Sequence, residues 1–363
     1  MKKTLHANFL IEGSFSEADI EFDEKIFKIN IIGPEKNNLQ KVIPGFIDLH
    51  VHGGGGADIM EGGSAAKTVA TTHARFGTTS FLATTMTAPF LELEQSFQAM
   101  KKNFEKKESN EARLLGVHLE GPFISPQKLG AQPDFARAAT LQEIGELHNI
   151  VPIKTLTLAP EVFHHLDLIQ DLTAMNIMVQ IGHTNGTYED GVEAINRGAK
   201  SFTHLFNAMS TFHHREPGMV GAALAHANHA ELIPDLLHVH PGAIKAALRS
   251  IPNLYFVTDA TAATGMPDGD YKLGSNTVHK CLGGVRLKDG TLAGSALTMD
   301  QALRNLVSMG MSIAEASKRL SQIPAELIGV LDRGVIKLNA YADLLILNGD
   351  LTLKEIIIEG EKV

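Results

Sequence analysis

Between residues 45 and 260 the chain alternates short apolar runs with helix-length amphipathic segments, and this rhythm restricts its architecture more than any single motif. Eight runs read as strands: GFIDLHVH, TTSFLATT, LLGVHLEG, IKTLTLAP, IMVQIGH, SFTHLFN, LIPDLLH and NLYFVTDA. Intervening segments such as AAKTVATTHARF, LELEQSFQAMKKNF and YEDGVEAINRG place apolar residues at helical spacing. Repeated strand–helix alternation over roughly 250 residues predicts an α/β fold of the (β/α)8 TIM-barrel type. An open, doubly wound sheet is the competing α/β architecture. One insertion breaks the rhythm: YKLGSNTVHKCLGGVRLKDGTLAG, residues 271–294, reads as a β-hairpin after the eighth strand.

The two ends have a different texture. Residues 1–43 contain short runs with apolar residues near period two, and residues 335–363 read the same way, with Asn348-Gly349-Asp350 as a turn. Neither end is long enough to bury a core alone, so one small β domain built from both termini is expected around a barrel over 44–334.

Composition narrows the partners. Lys and Arg total 32 against 41 for Asp and Glu, a net charge of -9 without a long basic run. That balance argues against a nucleic-acid or anionic-membrane surface but leaves room for a local basic pocket for one small anion. The single cysteine, Cys281, cannot form an intrachain disulfide, which fits a reducing compartment such as the cytoplasm. The short apolar part of MKKTLHANFLIEG, followed at once by SFSEADIEFDE, reads as neither a signal peptide nor a membrane span.

In a barrel the chemistry gathers where the C-terminal strand ends converge. His50 and His52 end the first run, Glu120 the third, His183 the fifth, His204 the sixth, His238 the seventh and Asp259 the eighth. His50 and His52, two apart on a strand, point to the same side. Imidazoles and carboxylates at this density suit Zn2+ or Fe2+. The set allows two metals sharing a carboxylate, or one metal with a separate acid–base group. A nucleophilic triad has no support, because the lone cysteine lies in the insertion and no G-x-S-x-G elbow occurs. The glycines at 53–56 lack the Lys and Ser/Thr of a phosphate-binding loop, so their expected duty is close passage of backbone by the metal centre. His118 shares Glu120's side of its strand and reads as support behind the ligands. His164, His165, His213, His214, His226 and His229 read as surface or loop residues.

PGFIDLHVHG, VHLEGPF, QIGHTN, FTHLFNAMS, HHREPG, LLHVH, TDA and LAGSALTM occur in this order. Together they resemble the N-acetylglucosamine-6-phosphate deacetylase family of the amidohydrolase superfamily, from about residue 40 to the C-terminus. The resemblance implies a metal-dependent hydrolase that converts N-acetylglucosamine 6-phosphate to glucosamine 6-phosphate and acetate, feeding amino-sugar breakdown and cell-wall precursor supply. It implies that Glu120, His183 and His204 hold the main metal, that His50 and His52 hold a second metal sharing Glu120, and that Asp259 is the general base and then the general acid. On the substrate side it implies Ala131 and Gln132 over the acetyl end, with Asn207, Ala208, Arg215 and His238 toward the phosphosugar. Leu292, Ala293 and Gly294 would close the pocket, and the protein would be a homodimer. Many relatives carry histidine where Gln132 stands. No lysine ends the fourth run, since Lys154 sits at its start, which leaves Glu120 as the bridge. The galactosamine version of the reaction and a non-catalytic association protein are the alternatives.

Overall fold

The computed structural model describes residues 2–363. A parallel sheet takes six strands in unbroken chain order: Phe46–Val51, Thr78–Thr84, Arg113–Glu120, Ile153–Leu158, Met178–Ile181 and Ser201–Phe202. His229–Leu232 and Asn253–Phe256 form a further parallel pair. Backbone hydrogen bonds cross both gaps between pair and sheet: Leu205 N–H donates to Glu231 O at 2.8 Å and Asp259 N–H to His50 O at 2.9 Å. A doubly wound sheet reverses its strand order at a switch point, and this sheet does not.

A helix follows each strand: Ala65–Ala74, Phe90–Glu105, Leu141–Ile150, His165–Ala174, Tyr188–Asn196, Gly218–His226, Pro241–Ser250 and, after the insertion, Met299–Ser308. Local chemistry sets several starts. The Thr140 hydroxyl accepts the Glu143 N–H, and Thr187 with Asp190 forms a reciprocal capping box. Covered by helices, strands Phe46–Val51 and Thr78–Thr84 are buried along their whole length. Among the described residues, no helix is long and apolar enough to cross a membrane.

Three expectations need correction. The seventh strand is His229–Leu232, not residues 232–238, because Pro234 has no N–H to give to an interior ladder. His238 therefore sits in the loop beyond that strand, and His229 lies on it. The insertion is a four-stranded antiparallel sheet, Gly269–Leu273, Asn276–Cys281, Gly284–Arg286 and Leu292–Ser295, rather than a single hairpin. His165 is buried, with Nδ1 3.0 Å from the Ala159 carbonyl and Nε2 accepting the Ala139 N–H.

A seven-stranded sheet joins the two ends of the chain. Its order is Glu361–Lys362, Leu353–Ile358, Leu344–Leu347, Lys41–Pro44, Lys3–Ile11, Ser14–Phe22 and Ile26–Pro34. Lys41–Pro44 pairs with both termini and runs directly into strand Phe46–Val51, so this sheet anchors the strand that carries His50. Phe9, Ile20, Ile26, Val42, Leu344 and Ile346 form its separate apolar core.

Candidate metal centre and substrate cleft

Each candidate ligand sits at or just beyond a strand end. His50 and Glu120 are the fifth and last residues of their strands, and His52 follows the first strand. His183, His204 and Asp259 follow the fifth, sixth and eighth strands, each with positive φ: 47°, 27° and 52°. Left-handed backbone at three non-glycine residues is unfavourable alone, and its clustering around one point is typical of a functional site.

The side chains form two buried groups, His50–His52–Asp259 and Glu120–His183–His204, with donor atoms inside each group within 4.8 Å of one another. Glu120 joins them. Its Oε1 lies 3.1 Å from His204 Nε2 and 3.2 Å from His183 Nε2, and its Oε2 lies 3.1 Å from His52 Nε2 and 3.4 Å from His50 Nε2. Asp259 Oδ1 faces the strand-one pair at 3.3 and 3.4 Å.

Outer contacts orient the rings. His52 Nδ1 lies 3.2 Å from the Thr84 carbonyl, His183 Nδ1 2.7 Å from the Lys128 carbonyl, and His50 Nδ1 2.7 Å from Glu231 Oε1. An Nδ1–H used in this way leaves the Nε2 lone pair aimed inward, the arrangement of a metal-ligating histidine. His118 is buried beneath, with Nε2 2.7 Å from the Thr157 hydroxyl and its ring 4.6 Å from that of His50. Glu161 supports the loop after His183 by accepting the Thr184 hydroxyl at 2.6 Å.

Electrostatics point the same way. Burial pushes the Glu120 carboxyl up, but the His50 charge and the bonds from His183 and His204 hold it well below the usual range. Burial disfavours charge on His52, yet the bonds to Asp259 and Glu120 push its pKa up to about 9. Buried carboxylates at this density require positive charge. A divalent ion meets that demand. Nitrogen and oxygen donors in this mixture fit such an ion.

An amidohydrolase family model matches residues 41–363. The chain belongs to the amidohydrolase family. It is 39% identical over 327 residues to the N-acetylglucosamine-6-phosphate deacetylase of Lysinibacillus sphaericus, covering 88% of this chain and 84% of that one. It is 35% identical over 334 residues to the N-acetylgalactosamine-6-phosphate deacetylase of Escherichia coli O157:H7, covering 90% of this chain and 88% of that one. The crystal structure of N-acetylglucosamine-6-phosphate deacetylase from Pasteurella multocida matches with a TM-score of 0.92 at 30% identity, and each chain is covered in full. Family and ligand groups together support a divalent metal in this amidohydrolase.

The amidohydrolase centre opens into a cleft of about 360 Å³. Ala131, Gln132, Asn207, Ala208, His238, Leu292 and Gly294 line it, as do all the candidate ligands except His50, which lies beneath. Gln132 is held at both ends of its amide: Oε1 accepts the Thr87 N–H at 2.7 Å and Nε2 donates to Glu120 Oε2 at 2.8 Å. His238 is paired with Asp235 at 2.7 Å; burial disfavours its charge, but Asp235 raises its pKa above the ordinary value. Two expected residues lie elsewhere. Ala293 packs in an apolar cluster with Met86, Leu273 and Val285 and does not line the cleft. Arg215 is exposed on the loop after His204 and contacts His214 Nε2 at 3.0 Å.

Sequence reading missed Lys128, the cleft's only Lys or Arg among the described residues, and the buried Glu231. Glu231 lies in HAELI, a lone charge inside an apolar run, the same signal that marked Glu120. The shifted seventh strand concealed it. In the glycine loop the close approach is backbone to backbone: a Cβ on Gly53 would meet Ala262 N at 2.5 Å and Ala57 O at 2.6 Å.

Proposed function

We propose that this amidohydrolase hydrolyses the acetamido group of N-acetylglucosamine 6-phosphate to glucosamine 6-phosphate and acetate. The observation that carries the reading is Glu120, whose two oxygens face two different histidine pairs with Asp259 beside them in the cleft. The relatives' names supply the substrate class. We take the centre to hold two divalent ions, Zn2+ or Fe2+, with Glu120, His183 and His204 at one and His50, His52 and the shared Glu120 at the other. The eight strands would close a (β/α)8 barrel over 44–334, with residues 1–43 and 335–363 in one small β domain. The chain would act as a cytoplasmic homodimer.

Bound metal supplies Lewis acidity, which acidifies a water and draws charge from the amide carbonyl. Asp259 takes the proton of the attacking water and returns it to the amine as the C–N bond breaks, so one carboxylate serves as base and then as acid. Gln132, fixed by the Thr87 N–H, holds Glu120 from the acetyl side. Asn207, Ala208 and His238 face the phosphosugar, with Lys128 as a nearby cation. Arg215 serves that phosphate only if its loop folds inward or a second copy of the chain presents it.

The test is side-by-side kinetics of metal-loaded enzyme on N-acetylglucosamine 6-phosphate, N-acetylgalactosamine 6-phosphate and unphosphorylated N-acetylglucosamine. The reading requires the highest kcat/KM on the first and poor turnover of the third. A preference for the second would assign the galactosamine reaction, and inactivity on all three at full metal content would favour the association protein.

A further inference from the structure

Strand His229–Leu232 contributes nothing to either ligand group, yet it carries the fully buried carboxylate Glu231 directly behind them. Glu231 Oε1 lies 2.7 Å from His50 Nδ1 and accepts the His204 backbone N–H at 3.1 Å. Its Oε2 faces Gln180 Nε2 and the Tyr255 hydroxyl, each at 3.3 Å. The Tyr255 hydroxyl is closer to Gln180 Oε1, at 2.6 Å, so its proton is largely committed there. Among the described residues no Lys or Arg pairs with Glu231, and its one cation-capable contact is His50. An isolated buried carboxylate is costly unless a donor satisfies it. His50 Nδ1–H is the closest of its donors, at 2.7 Å.

The four ligand histidines are not backed alike. Neutral backbone carbonyls face Nδ1 of His52 and His183, and Nδ1 of His204 meets no partner. Only His50 is backed by a full negative charge. A carboxylate behind an imidazole fixes its tautomer and raises the basicity of the opposite nitrogen. His50 Nε2 points into the site, 3.1 Å from His52 Nε2.

We infer that Glu231 is the positioning residue for the strand-one half of the metal centre: it holds His50 as the Nδ1–H tautomer, so that Nε2 binds the second ion. Together with Glu120 and Asp259 it brings the buried carboxylates facing the two groups to three, which suits more than one divalent ion. The inference rests on the two-metal reading above.

Zinc content per chain after dialysis against a dilute chelator at one neutral pH tests it, in wild type, Glu231→Gln, His50→Gln and the double variant. Wild type should keep two zinc ions, and Glu231→Gln should keep one firmly with the other bound about 10–100-fold more weakly. His50→Gln should keep one, and adding Glu231→Gln should lose no more, because the carboxylate acts through that ring. Two equally resistant ions in Glu231→Gln would overturn the inference while leaving the two-metal reading intact, as would loss of both ions from a folded variant. A wild type that never exceeds one ion would overturn both. If Glu231→Gln does not fold, zinc-loaded wild type labelled with 15N-histidine decides the matter. A low-field, exchange-protected Nδ1 proton, absent from His50→Gln, is expected, and its absence or an Nε2–H form of His50 would overturn the inference.

Discussion

His73, on helix Ala65–Ala74, ties the stability of the glycine loop to pH. Its ring is wholly buried, Nε2 lies 2.9 Å from the Gly53 carbonyl beside His52, and Nδ1 has no partner. With Nε2–H donating to Gly53, a second proton on Nδ1 would put charge where nothing accepts it. Burial therefore pushes the pKa from 6.5 down to about 4, opposed only in part by the Gly53 carbonyl. The unfolded chain takes up its proton as pH falls through the ordinary histidine value, and the folded chain resists until about pH 4. Stability is thus fully present above the unfolded pKa and lost on acidification between the two values. The full span between the two values corresponds to about 3 kcal/mol, of which about 2 kcal/mol has gone by about pH 5. The assay is urea unfolding of metal-free protein at about pH 8 and about pH 5 in wild type and His73→Gln, which keeps an N–H donor but does not titrate. Wild type should lose about 2 kcal/mol more than the variant, since other titrating groups are common to both. Equal losses would refute the assignment of a neutral, buried His73.

Two further outcomes follow from the site. Asp259→Asn keeps an oxygen but cannot accept a proton, so metal content and KM should change little while kcat falls by about 10²–10⁴; His183→Asn or His204→Asn should lose metal and activity together. Wild-type kcat in a fully metallated Asp259→Asn enzyme would mean that another group moves the proton. Gly53→Ala forces a methyl onto the Ala262 backbone and should cost about 1–3 kcal/mol and weaken metal retention through His52, read as a lower urea midpoint and lower zinc content. Unchanged values for both would show that the loop yields freely.

The candidate ligand types were legible because they depend on local order. An apolar run ending in His50-Val51-His52 or His118-Leu119-Glu120 states, by strand alternation alone, which side chains share a side and which end carries them. The motif order carried the family, and period two marked the terminal strands that now pair across the chain ends. Errors arose where a local pattern admitted two placements. LIPDLLH and HAEL are both apolar enough for the seventh strand, and choosing the former hid Glu231 and put His238 at a strand end.

Other features exist only in the assembled fold. Glu231 meets His50 across 181 residues of chain, and His73 reaches Gly53 from helix Ala65–Ala74. Glu120 faces two histidine pairs because the third strand lies between the strands that carry them. Arg215, linked to the phosphate by its motif, stands on an exposed loop outside the cleft. The physical reason is common to all of them. Periodicity records how one segment divides its side chains between water and core, whereas a buried polar atom is satisfied by whichever distant segment packing brings within hydrogen-bond reach.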